Sequence, residues 1–218
     1  MPPKDDRVTG EFSIQSSTLF TPAPRTGSQA DLGIADFQLE KGIELLQSRH
    51  NLVIFMHDNP DPDAMAAALG LKYLVEQTTD THATLALGGI VGRAENRAMM
   101  DALRIPLIPA DVLNIDRFDA IAIVDSQPGT GNNSLPSGKT VDIVIDHHPA
   151  REESAHSPWC DIRPQLGATS TIISQYLRER KIPIHTQLAT ALFYAIRSET
   201  RDLGREATVA ERDAYLHL

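Results

Sequence analysis

Val141-Asp142-Ile143-Val144-Ile145 runs directly into Asp146-His147-His148-Pro149. A short apolar, β-branched run bounded by a turn reads as a buried strand. Two more runs have the same form. Leu52-Val53-Ile54-Phe55-Met56 ends in His57-Asp58-Asn59-Pro60-Asp61-Pro62-Asp63, and Ala120-Ile121-Ala122-Ile123-Val124 ends in Asp125. Three buried strands therefore terminate in carboxylate and imidazole, the ligand types of a divalent metal site.

The rest of the chain supplies the alternating partners. Residues 64–76, 95–103, 169–178 and 186–198 suit helices, and Phe37, Ile43, Leu45 and Leu46 suit one face of a helix ending near Ser48. Residues 82–87 and 159–163 suit further strands. Strands alternating with helices predict an α/β fold: a mostly parallel sheet of about five strands with helices on both faces. In such sheets the carboxyl ends of the strands line the ligand crevice. That topology gathers His57, Asp61, Asp63, Asp125 and Asp146–His148 although they are distant in sequence.

Bulk properties narrow the classes. The 218 residues, 41% of them hydrophobic, suffice for a packed core, and Cys160 is the single cysteine, so no intrachain disulfide forms. A net charge of −9 disfavours stable binding of long nucleic acid, whereas a small phosphorylated substrate remains compatible because bound metal adds local positive charge. No apolar run reaches the ~20 residues that span a bilayer, no secretory signal is evident, and the cytoplasm is the default location. A homodimer is compatible with this reading. Residues 1–35, rich in Pro, Ser, Thr and Gly, read as a flexible leader, 36–205 as the folded domain, and 206–218 as a polar tail or the start of a linker.

Each candidate has a plainer alternative. Pro60 and Pro62 stiffen the turn after His57, and Asp63 is a candidate N-cap as well as a candidate ligand. Asp125 precedes Ser126-Gln127-Pro128-Gly129 and suits a turn, or a carboxylate bridging two metals. Of His147 and His148, adjacent side chains that point differently, one is expected to ligate and the other to face substrate. Asp146 is expected to orient an imidazole from behind. Thr169 and Ser170 open a helix and suit either a phosphate seat or simple capping. Arg93 and Arg97, after Gly88-Gly89, are candidate phosphate contacts, as are Arg201 and Arg205; a solvated surface role is the alternative.

Together these segments resemble the DHH family of phosphoesterases. His57-Asp58-Asn59-Pro60-Asp61-Pro62-Asp63-Ala64 resembles its first motif, Val124-Asp125-Ser126 its second, and Asp146-His147-His148-Pro149 the signature that names it. Gly167-Ala168-Thr169-Ser170 and Leu192-Phe193-Tyr194-Ala195-Ile196-Arg197-Ser198-Glu199-Thr200 resemble the later motifs. The resemblance covers residues 35 to 205 in the family's order and implies a Rossmann-like domain with two manganese ions. His57 and Asp61 would hold one, Asp63 and His147 the other, and Asp125 would bridge them. The family's last ligand is an aspartate, and Glu199 stands in its place. Ala67 stands where relatives often carry serine.

The chemistry so implied is hydrolysis by a two-metal activated water, with cations about 3.5–4 Å apart clamping the attacking and leaving oxygens. Asp125, His148 and Asp146 are the candidate catalytic groups, with His148 contacting the departing group. The motif style is similar to the oligoribonuclease and 3′-phosphoadenosine 5′-phosphate phosphatase group, whose substrates are short oligoribonucleotides and phosphoadenosine phosphate. Cyclic dinucleotides and pyro- or polyphosphate are the alternatives within the family. Outside that class stand a non-catalytic nucleotide-binding module with a degenerate second metal site, and a structural sheet protein whose acids only cap and turn. Relatives normally carry a second, smaller domain of the DHHA1 type with a glycine-rich motif, which is expected to be missing from these residues.

Overall fold

A computed structural model describes residues 29–218, with side chains from residue 38 onward. Residues 1–28, the larger part of the expected leader, lie outside the described residues. Six strands form one sheet: β1 (Asn51–Phe55), β2 (His82–Leu87), β3 (Leu107–Pro109), β4 (Ala120–Val124), β5 (Ile143–Asp146) and β6 (Trp159–Ile162). Their order is β3-β2-β1-β4-β5-β6, and every neighbouring pair is parallel. The α/β class and parallel sheet are thus as expected. The sixth strand is β3, whose three residues include a proline and carry too little pattern to be read.

The strand order reverses between β1 and β4, so the crevice outside their carboxyl ends is the place where such sheets bind ligands. Register brings the ends level: Phe55 pairs with Ile123, and Val124 with Ile145. The Asp125 amide extends the ladder by donating to the Ile145 carbonyl at 3.0 Å. Residues immediately past β1, β4 and β5 therefore converge.

Side chains alternate along β1. Leu52 and Ile54 enter the core shared with the helices, while Val53 and Phe55 face the other side. The helical layer comprises α1 (Gln29–Leu46), α2 (Pro62–Thr78), α3 (Ala94–Ala102), α4 (Thr169–Glu179) and α5 (Thr186–Glu199). Contrary to the expectation of helices on both faces, all five pack on the first face. The second face is covered by Leu113, Ile115, Phe118 and Leu135 from turns and loops. Right-handed crossovers explain the asymmetry. The connections running from β4 to β5 and β6 fall on the second face, and they contain loops and a short 3-10 turn, Glu152–His156, instead of an α-helix.

Two helices depart from the sequence reading. Helix α1 begins at Gln29, inside the segment read as leader. Residues read as a polar tail form α6 (Val209–His217), capped by Thr208. Close packing also fixes a glycine. An added Cβ at Gly42 of α1 would lie 1.9 Å from the Trp159 ring, so only glycine lets α1 sit on that buried indole. Among the described residues, no helix is long and apolar enough to cross a membrane.

Candidate metal centre

The turn after β1 is built to present two ligands. Pro62 occupies the first turn of α2, and Asp61, not Asp63, is its N-cap: Asp61 Oδ1 accepts from the amides of Asp63 at 2.9 Å and Ala64 at 3.1 Å. Asp63 is thereby free for another task. Its buried carboxylate accepts from the amides of Thr169 at 2.7 Å and Ser170 at 2.9 Å, at the N-terminus of α4.

Asp125, past β4, is buried and holds a left-handed backbone with φ +53°. For a non-glycine residue that conformation is uncommon and is characteristic of functional turns. The Thr169 hydroxyl donates to Asp125 Oδ1 at 2.8 Å. The two oxygens of Asp125 face opposite imidazoles: Oδ2 lies 3.6 Å from His57 Nε2, and Oδ1 lies 3.6 Å from His147 Nε2. Asp61 Oδ1 stands 3.7 Å from His57 Nε2, and Asp63 Oδ2 stands 3.9 Å from His147 Nε2.

Separations of this size are too long for hydrogen bonds. They match the spacing of two donors that each lie about 2.1 Å from a shared cation. Both imidazoles are set for that role. His57 Nδ1 is 2.9 Å from the Asp58 carbonyl and His147 Nδ1 is 3.2 Å from the Leu166 carbonyl, so each Nδ1–H donates outward and each Nε2 faces the centre.

Electrostatics agree with that arrangement. Burial raises Asp63, with Asp61 adding to the effect. Burial together with Asp63, Asp61 and Asp146 pushes Asp125 well above the usual carboxylate range. Burial lowers His57, but Asp61, the Asp58 carbonyl and Asp125 outweigh it and hold the imidazole at about 9. Burial likewise raises Asp61, yet His57 and the capping amides leave it below its ordinary value. Among the described residues, no lysine or arginine pairs with Asp61, Asp63 or Asp125. Buried carboxylates without a cation are a deficit of positive charge that dications would relieve. Oxygen donors with one imidazole on each side suit manganese, and zinc also binds such sets.

Residues 51–196 match the family described as the DHH family, N-terminal domain. The chain belongs to the DHH family. An uncharacterized protein of Methanocaldococcus jannaschii is 38% identical over 182 residues, covering 83% of this chain and 36% of that protein. A probable manganese-dependent inorganic pyrophosphatase of Lactiplantibacillus plantarum is 29% identical over 161 residues, covering 74% of this chain and 51% of its own length. The chain thus spans a third to a half of these relatives. The crystal structure of an exopolyphosphatase-related protein from Bacteroides fragilis aligns with a TM-score of 0.62 at 15% identity, over 84% of this chain and 56% of that one. That likeness concerns the fold.

Within the DHH signature, the imidazole that Asp146 orients is that of His148. Asp146 does not reach the His147 ring. Its Oδ1 accepts from the His147 amide at 2.8 Å and lies 2.9 Å from His148 Nδ1, while Oδ2 accepts from Gln127 Nε2 at 2.7 Å. The Leu166 carbonyl takes the expected supporting role at His147. The Asp146 carboxylate, outweighing burial and helped by Asp125 and Asp63, holds His148 at about 9. His148 keeps a half-exposed side chain in the cleft.

A cleft of about 490 Å³ is lined by His57, Asp61, Asp125, His147, His148 and Glu199, and on its other side by Ser126, Thr130, Asn132 and Arg151. Glu199 borders the cleft with its carboxylate 3.6 Å from Arg205. Burial raises it, with Asp63 and Asp61 adding to the effect. Among the described residues, the compact ligand groups are His57, Asp61 and Asp125 on one side, and Asp125, His147 and His148 on the other; Asp63 and Glu199 belong to neither.

Two expectations are corrected. Thr169 and Ser170 are fully buried, and their amides are spent on Asp63, with the Thr169 hydroxyl on Asp125; they brace carboxylates and do not seat a phosphate. Arg93, Arg97 and Arg201 do not line the cleft, and Arg97 instead donates to the Gly92 carbonyl. Among the described residues, the lysine or arginine that does line it is Arg151. The position of Arg151 just beyond Pro149 was its only trace in the sequence. Gln127 was also missed: buried, it ties Asp146, the Pro149 carbonyl, the Arg151 amide and Ser154 together. A polar residue two positions after a strand-end aspartate was the available signal.

Proposed function

We propose that this chain is the metal-binding part of a manganese-dependent phosphohydrolase that cleaves phosphodiester or phosphomonoester bonds of small nucleotides. The observation that carries the proposal is the Asp125 carboxylate held between the Nε2 atoms of His57 and His147, 3.6 Å from each. Two bound dications would supply Lewis-acid activation of water and charge neutralisation of the phosphoryl oxygens. The chain's own residues do the remainder. Thr169 and the α4 amides hold Asp125 and Asp63 in place. His148, held through Nδ1 by Asp146 at 2.9 Å, is placed in the cleft to pass a proton to the leaving oxygen. Arg151 offers a guanidinium to a substrate phosphate.

A volume of about 490 Å³ falls within the range of sites for nucleotide-sized ligands. Inorganic pyrophosphate is the second reading, favoured by the pyrophosphatase names of relatives 27% and 29% identical. A hydrolysis panel with manganese separates them: di- and trinucleotides, 3′-phosphoadenosine 5′-phosphate, cyclic dinucleotides and pyrophosphate. Turnover of the nucleotides, lost in Asp125→Ala, is the expected result. Turnover of pyrophosphate alone would establish the second reading. Metal binding without turnover of any of them would leave a non-catalytic binding module.

A further inference from the structure

We propose that Glu211 of α6 is a positioning residue for the metal centre, acting through the segment 166–170. This rests on the reading that His147, Asp63 and Asp125 bind metal. Glu211 belongs to a capping box: its Oε2 accepts from the Thr208 amide at 2.6 Å and the Thr208 hydroxyl at 2.5 Å. A capping-box glutamate completes that task with one oxygen and stays near solvent. Here the residue is fully buried, and the other oxygen, Oε1, accepts from the Gly167 amide at 2.9 Å, 44 residues away. Burying a carboxylate to that degree is unfavourable unless its hydrogen bonds fix something.

Gly167 stands in the middle of the brace. The preceding residue gives its carbonyl to His147 Nδ1 at 3.2 Å. Two residues later, Thr169 donates its amide to Asp63 and its hydroxyl to Asp125, at 2.7 and 2.8 Å. One short segment thus orients one imidazole and two carboxylates of the centre, and Glu211 pins its midpoint. The other side of Gly167 is closed as well, since an added Cβ would lie 2.4 Å from the Glu206 carbonyl. The turn that brings Glu206 there holds Arg201, Asp202 and Leu203 in succession at φ +49°, +61° and +63°. Such a run of left-handed residues persists only where the surroundings enforce it, and Leu203 packs against the cluster of Ala168, Ile196 and Ala214, the last contributed by α6. Helix α6 therefore belongs to the machinery that sets the ligand geometry.

Manganese binding, followed by electron paramagnetic resonance of the free ion, tests this apart from activity. Glu211→Ala is expected to weaken manganese binding by about 10- to 100-fold, the range for groups that orient ligands, most of all for the ion held by Asp63 and His147. Thr208→Ala removes the cap hydroxyl but leaves the Gly167 contact. It is expected to lower Tm and leave both affinities unchanged. If Glu211→Ala does not fold, Glu211→Gln is read in the same way, with a smaller loss. A folded Glu211 variant binding both ions as the wild type does would overturn the proposal while sparing the metal centre. A wild-type chain that binds no manganese would overturn both.

Discussion

The Thr169 hydroxyl donates to Asp125 Oδ1 across 2.8 Å, in a contact where both residues are buried. The threonine opens α4 and the aspartate immediately follows β4, so this one bond joins the helical layer to the sheet between the two imidazoles.

That bond gives the first prediction. Thr169→Val preserves shape but removes the donor, and Asp125 then loses its fixed orientation. Manganese affinity is expected to fall about 10- to 100-fold, with Thr169→Ser restoring most of it. Calorimetric titration of the three proteins checks this, and equal affinities would count against the bracing role.

Arg151 leads to a second. Arg151 lines the cleft, and its guanidinium makes long contacts to the Gly129 carbonyl at 3.4 Å and Glu153 at 3.8 Å. Arg151→Ala is expected to raise KM for anionic substrates about tenfold or more, as loss of a charged hydrogen bond does. Manganese affinity should not change. Steady-state kinetics beside a metal titration separates the two effects.

Proton linkage supplies the third. In the metal-free chain His57 and His148 stand at about 9, above their ordinary 6.5. A raised folded pKa stabilises fully below the unfolded value, and the contribution disappears as pH climbs through the folded one. The Tm of metal-free protein is therefore expected to decline between pH 6.5 and 9. Because His57 must lose its proton to bind metal, apparent manganese affinity should rise over the same window, with about one proton released from that residue. Calorimetry in buffers of different ionisation enthalpy reads the release directly.

The parts of the site that were legible in the sequence are those fixed by the strands themselves. A parallel sheet places whatever follows each apolar run at one edge, so His57, Asp125 and His147 could be gathered from pattern alone. Their supports could not. Leu166 contributes a carbonyl, which every residue has, and Thr169 looks the same whether its hydroxyl caps a helix or braces Asp125. The capping role fell to Asp61 and not to Asp63; both lie where a cap is plausible, and only the start of α2 at Pro62 decides between them. Helix α6 was hidden by its polar composition, since its buried side includes Glu211 and Ala214 instead of a stripe of large apolar residues. The bare second face was invisible because nothing in the apolar runs states whether a helix or a loop covers them.

Packing yields the fourth prediction. Gly42→Ala would push a methyl into Trp159. A net loss of about 1–3 kcal/mol is expected from overpacking, partly offset by the better helix propensity of alanine. Urea denaturation measures it, and manganese binding by the folded variant should be unaffected, since none of the candidate ligands lies on α1.

The central claim is that Asp125 is shared by two metal ions. Its most direct test is the stoichiometry and affinity of manganese binding, by calorimetry, for the wild type and Asp125→Asn. Two ions for the wild type, with both affinities reduced in the variant, is the predicted result. A variant that binds both ions unchanged, or a wild type that binds none, would contradict it.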